Sequence, residues 1–206
     1  MSTPLETKIV SQAPPFALIG ENLSDYTIAT IHGFRIGAQA VVDINPEALQ
    51  QRPATLELDK KTLTIAQLAS LAIPQTTISK GFDKPVGNVG HHVSLALTAF
   101  EARHRNATAL SRAMWDIGYY CVAKSAEPLG LSAQEAEAVD LLSQGFIMKE
   151  IDEQLRPKYG EKHRSMRSLL RSIGNFSGWD QADAVAWRAM VGGDIATHAP
   201  ATPSGW

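Results

Sequence analysis

Apolar positions return at helical spacing through the second half of the chain and blur in the first. Val93, Ala96, Leu97 and Phe100 fall at i, i+3, i+4 and i+7, which predicts a helix with one buried face. Leu110, Met114, Ile117 and Cys121 continue such a stripe and predict a connector helix near 107–125. Further on, Ala138, Val139 and Leu142 mark one helix. Ile147, Ile151 and Leu155 mark a shorter one ended by Pro157. Met166, Leu169, Leu170 and Ile173 form the apolar face of a helix over 162–173. Ala182, Val185, Ala186, Ala189 and Met190 line a last helix, whose small residues allow close approach to its own core or to a second subunit.

Upstream the pattern is poorer. FALIGENLSDYTIATIHGFRIGAQAVVDI mixes β-branched residues with glycines and fits one or two helices or short strands. TIAQLASLAI (64–73) reads as a helix stopped by Pro74, and PQTTISKGFDKPVGNVG as a turn-rich loop. The expectation is a mainly α protein. An extended arm covers 1–15, and a mostly helical regulatory or dimerisation domain covers 16–127. A four-helix domain follows over 130–192, with a flexible tail over 193–206. The proline and glycine of AEPLG place the boundary near 126–130.

Composition narrows the chemistry. At 206 residues, with 44% hydrophobic and 19% charged residues, the chain can bury a real core. Cys121 is the only cysteine, which excludes an intramolecular disulfide and a cysteine-rich zinc site. Its apolar neighbours suit a buried, inert thiol. No basic n-region precedes an apolar core, and no apolar run nears the roughly 18 residues that cross a bilayer. A soluble, cytoplasmic protein without a membrane partner is expected. Among His91, His92, Glu101 and His104, only Glu101 with His104 has ligand spacing on a helix, and one pair is not a metal site. GFDKPVGNVG is neither a P-loop nor a dinucleotide fingerprint. No nucleophile–base pair emerges. Hence no catalytic residue, metal or cofactor is expected, and the chain does not read as an enzyme.

The net charge of -2 does not suggest a polyanionic partner, yet the cations are unevenly placed. Arg156, Lys158, Lys162, Arg164, Arg167 and Arg171 crowd one stretch that contains Glu161 as its only acid. On the 162–173 helix, Arg164, Arg167, Ser168 and Arg171 lie opposite the apolar face. Guanidinium groups there suit phosphate oxygens or a guanine edge. Upstream, Ser132 with Glu135 forms a capping-box pattern, and Gly145 suits a left-handed helix stop.

Leu131, Ser132, Glu135, Glu137, Val139, Leu141, Leu142, Gly145, Lys149, Glu150, Ile151 and Leu155 occur at the spacing of the LuxR-type DNA-binding domain, which this segment resembles. The likeness covers about 60 of the 206 residues. It departs where RPKYGEKHRSM replaces the family's tight turn and Thr-Val helix entry, and where Ala133 replaces a proline. AVAWRAMVGG resembles the family's last helix, which often supports dimerisation. The resemblance implies a transcriptional regulator that binds double-stranded DNA, as a homodimer. Helix 162–173 would enter the major groove, with Lys158, Lys162, Arg164, Arg167, Ser168 and Arg171 as the contacting residues. The rival reading is an interaction module, in which a degenerate helix-turn-helix binds another regulator or RNA polymerase.

Overall fold

The computed structural model describes residues 16–21, 30–36, 40–49, 58–71, 73–160, 164–173 and 181–196. Among these the protein is mainly helical, with eight α-helices. The difficult N-terminal segment is a sheet. Strands β1 (Phe16–Glu21), β2 (Thr30–Ile36) and β3 (Ala40–Ile44) are antiparallel neighbours. The fourth strand, β4 (Tyr120–Lys124), arrives from far along the chain and pairs with β3. The mostly helical N-terminal domain expected from sequence therefore becomes a mixed unit. Four helices are inserted between β3 and β4: α1 (Lys60–Ser70), α2 (Gln75–Phe82), α3 (Val86–Ala99) and α4 (Ala107–Asp116).

Local chemistry explains the differences from the sequence reading. Asp59 accepts the Thr62 N–H at 2.6 Å and so starts α1 four residues before the expected helix. Pro74 and Pro85 occupy the N-caps of α2 and α3, where no intrahelical N–H is needed. The expected turn-rich loop is thus mostly helix. The connector helix ends at Asp116, because Gly118 turns the backbone at φ 76° and Tyr-Tyr-Cys-Val continues as strand. Cys121 consequently stands opposite Asp43 on the sheet, half-buried, and burial with that carboxylate pushes its thiol up.

The centre of the molecule is aromatic. Trp115, Tyr119 and Tyr120 are buried around the end of α4, as is Phe100 just after α3. Gln67 Nε2 donates to the Tyr119 hydroxyl at 2.7 Å, and Ser70 Oγ lies 2.6 Å from that of Tyr120. Into this cluster comes Trp187, from the last helix of the chain. Its ring meets those of Trp115 and Tyr120 at 5.6 and 5.2 Å, and its Nε1 donates to the Ser70 carbonyl at 2.9 Å. The chain crosses 126–130 without any break in the core behind it. Residues 193–196, expected to open a flexible tail, pack on the fold instead: Asp194 accepts the N–H groups of Leu129 and Gly130, and Ile195 is buried. The arm at 1–15 and the remaining tail lie outside the described residues. No described helix is long and apolar enough to cross a membrane.

Candidate functional site

Helices α5 (Ala133–Ser143), α6 (Met148–Tyr159), α7 (Met166–Ile173) and α8 (Gln181–Gly192) follow. The first packs on α6 and α8, while α7 touches both α6 and α8. The α5 capping box forms as the sequence predicts. Ser132 Oγ accepts the Glu135 N–H at 3.4 Å, and Glu135 Oε2 accepts the Ser132 N–H at 3.0 Å. Gly145 adopts φ 96°, and a Cβ there would lie 2.7–2.9 Å from Ala109 Cβ, His104 Cβ and Asn106 Oδ1. Only glycine fits this turn.

Helix α6 departs from expectation at both ends. Ile147, predicted on the buried face, is instead the exposed N-cap residue. It has no side-chain acceptor to offer, so only the reciprocal half of a capping box is made, with Glu150 Oε2 accepting the Ile147 N–H at 3.0 Å. Pro157 does not end the helix, which runs through it to Tyr159. The bond that the proline forgoes would meet the carbonyl of Glu153, an exposed residue that water can reach. Ile151 and Leu155 are buried as predicted.

Helix α7 is shorter than the predicted 162–173. It opens at Met166, whose N–H is accepted by Asp152 Oδ1 at 2.8 Å, while Ser165 Oγ accepts the Ser168 N–H at 3.3 Å. Met166, Leu169 and Leu170 are buried, and Arg167, Ser168 and Arg171 are exposed on the other side. Ile173 belongs to the helix, but its side chain is outside the described set.

The six candidate contact residues separate into groups. Lys158 and Arg164 are drawn away by α5. Lys158 Nζ sits 2.6 Å from Glu137 Oε2, which also accepts the Tyr159 hydroxyl at 2.6 Å. Arg164 precedes α7 rather than lying on it, and its Nη1 is 3.3 Å from Glu135 Oε1. These bonds have electrostatic consequences. Lys158, then Tyr159, holds the Glu137 carboxyl below the usual range. The Ser132 N–H, with smaller help from its hydroxyl and Arg164, does the same for Glu135. Lys162 lies outside the described residues. Arg167 and Arg171, one helical turn apart, have no carboxylate at ion-pair distance among the described residues. Ser168 lies between them. Beside Arg167 an open groove of about 680 Å³ is lined by Met148, Lys149, Asp152, Glu153, Arg156 and Ser165 among others.

Two features were missed from sequence. One is the acidic edge of α5, since nothing in the local pattern ties Glu137 to Lys158 across 21 positions. The other is the loop 101–106. There Glu101 turns left-handed at φ 53°, which removes the helical spacing that pairs it with His104 in the sequence. His104 instead packs on Phe146 at 4.4 Å, and His92 Nδ1 lies 2.8 Å from Thr62 Oγ1. Among the described residues no three His, Cys, Asp or Glu are grouped to hold a metal ion.

A second concavity, about 520 Å³, lies between α4, α5 and the turn after α8. Arg112 is buried in its wall, bonded to Asp116 at 2.9 Å, to Asp140 and Ser143 Oγ at 2.7 Å, and to the Ala196 carbonyl at 2.8 Å. Burial alone would lower its pKa, but the bonds to Asp140 and Asp116 outweigh that and raise it. All three of its nitrogens are engaged in holding α4, α5 and the chain end together. Comparison of the chain with protein-family models, with curated proteins and with solved structures gives no match.

Proposed function

We propose that the protein is a transcriptional regulator that binds duplex DNA by inserting α7 of a LuxR-like helix-turn-helix into the major groove. The observation that carries this reading is the pair Arg167 and Arg171. They share the exposed face of a short helix whose opposite face is anchored by Met166, Leu169 and Leu170. A helix held by its apolar side and presenting free guanidinium groups on the other fits groove entry. Arg156, exposed on the adjoining α6, suits a flanking phosphate, and so does Lys149, whose ion pair with Glu153 is long at 3.7 Å and open to solvent. Of the six residues expected to make contacts, Arg167, Ser168 and Arg171 stay in this proposal. Lys158 and Arg164 serve the α5 acids instead.

The test is selection of bound fragments from a genomic duplex pool, followed by affinity measurements on variants. Arg167→Ala and Arg171→Ala are expected to keep the parental melting temperature and to weaken binding by about 1–3 kcal/mol per lost base contact. The rival interaction module draws support from exposed Ile147 and Met148 at the start of α6. It becomes the better reading if both arginine variants stay folded and bind DNA at parental strength while regulation in cells is lost.

A further inference from the structure

The loop between α3 and α4 grips the turn that opens the helix-turn-helix. Asn106 does two jobs there: its Oδ1 accepts the Ala109 N–H at 2.9 Å, and its Nδ2 donates to the Gly145 carbonyl at 2.7 Å. Arg103 Nη1 donates to Gln144 Oε1 at 3.1 Å, and the His104 ring lies on Phe146. Residues 103, 104 and 106 therefore hold 144, 146 and 145. The next residues along the chain, Ile147, Met148 and Lys149, begin α6, and Met148 and Lys149 share the groove with Arg156 and Arg167. Loop, turn, first turn of α6 and α7 thus follow one another along the molecule.

Arg103 and Arg105 remain exposed in that loop. Arg103 borders the Arg112 cleft, where Asp116 and Asp140 are bonded to Arg112, Glu137 to Lys158 and Asp194 to backbone N–H groups, while Glu101 is exposed at the start of the loop itself. Neither Arg103 nor Arg105 has an ion pair among the described residues. We propose that loop 101–106 is a second nucleic-acid contact, in which Arg103 and Arg105 meet duplex phosphates beyond those reached by Lys149. The sheet-bearing half would then extend the footprint of the helix-turn-helix. This rests on the DNA reading above. Two cations carried by a loop that is fixed to the turn at three successive residues sit at a set position, which suits backbone contacts that set register.

The experiment measures affinity of the full chain for its selected duplex across a salt series. Each lost phosphate contact lowers the slope of log K against log salt by about 0.9 in magnitude. Arg103→Gln with Arg105→Gln is expected to lower it by about 1.8, twice that value. Arg105→Gln alone, which removes no hydrogen bond seen among the described residues, gives half. Arg105→Lys restores the parental slope. A control, Lys80→Gln with Lys84→Gln, removes the same net charge from exposed positions around the end of α2 and is expected to leave the slope unchanged. An unchanged slope in the loop variants, or an equal fall in the control, overturns this inference and leaves the DNA reading standing. A parent chain that binds no duplex at low salt overturns both.

Discussion

Helices α7 and α8 are neighbours in the chain and touch each other, yet their surfaces are used in opposite ways. The former buries Met166, Leu169 and Leu170 and leaves Arg167, Ser168 and Arg171 to solvent. The latter is covered nearly all round: Ala182, Ala184, Val185, Ala186, Trp187, Ala189, Met190 and Val191 are all buried. These positions do not fit a single stripe, and no broad apolar face of α8 is left exposed among the described residues. The small residues admit close neighbours, and those neighbours come from the same chain. What differs is the kind of work. One helix fastens the C-terminal segment into the aromatic core of the N-terminal half, and the other is left with a face to present.

The largest effect is expected from breaking that fastening. Trp187→Ala removes a buried indole that packs on Trp115 and Tyr120, and it leaves the Ser70 carbonyl with Ser111 Oγ as its remaining donor. It should cost about 3–5 kcal/mol in urea unfolding. Because the core is shared, spectroscopic signals from both halves should fall together. If the N-terminal half keeps its parental unfolding midpoint, the two regions are independent and the contrast between α7 and α8 loses its meaning. Leu170→Ala, on the presenting helix, should cost about 2–5 kcal/mol and act first on α7.

These two helices also show what the sequence made legible. The inner face of α7 and its arginines were readable, because one-sided burial leaves a clear 3.6-residue period. The capping box and Gly145 were readable too, since both are local chemistry with fixed spacing. Strands β1 to β3 were not. Their glycines interrupt any period, and the strand that pairs with β3 is supplied 76 residues after Ile44, at Tyr120. Prolines 74 and 85 misled because a helix start and a turn favour the same residue. At the candidate site, the fates of Lys158 and Arg164 depended on Glu137 and Glu135, which lie one helix away. Tertiary ion pairs of that kind leave no mark in local spacing.

A smaller effect is expected at the hinge of the comparison. Gly145 carries the turn between α5 and α6, and its missing Cβ is what lets Ala109, His104 and Asn106 approach. Gly145→Ala forces a side chain into a left-handed backbone at φ 96° and into contact with atoms under 3.0 Å away. The strain alone is worth roughly 1–3 kcal/mol. The expected result is a lowered melting temperature and, on the proposed function, weaker binding to duplex DNA, because the loop and α6 both shift. Parental stability in this variant would mean that the loop yields, and that it does not fix the turn.

The smallest effect concerns the acids that keep cations off the presenting face. Glu137 is held below its ordinary carboxylate range by Lys158 first and Tyr159 next. A carboxylate with a depressed folded pKa stabilises the protein above its unfolded value, and that contribution is lost as pH falls through the folded value. The unfolded reference is near 4.5, so the loss begins below about that pH. Glu137→Gln should therefore be slightly less stable than the parent at neutral pH, with the difference closing in acid. Lys158 is exposed, so salt should shrink the difference as well. The same substitution releases Lys158 beside the end of α6. If α7 and its surroundings meet phosphates, Glu137→Gln should bind duplex DNA more tightly and with a steeper salt slope, although it is the less stable protein. Stability and affinity moving in opposite directions is the signature of an acid that withholds Lys158 from DNA, as against a purely structural ion pair. If both fall together, Lys158 belongs to the fold alone.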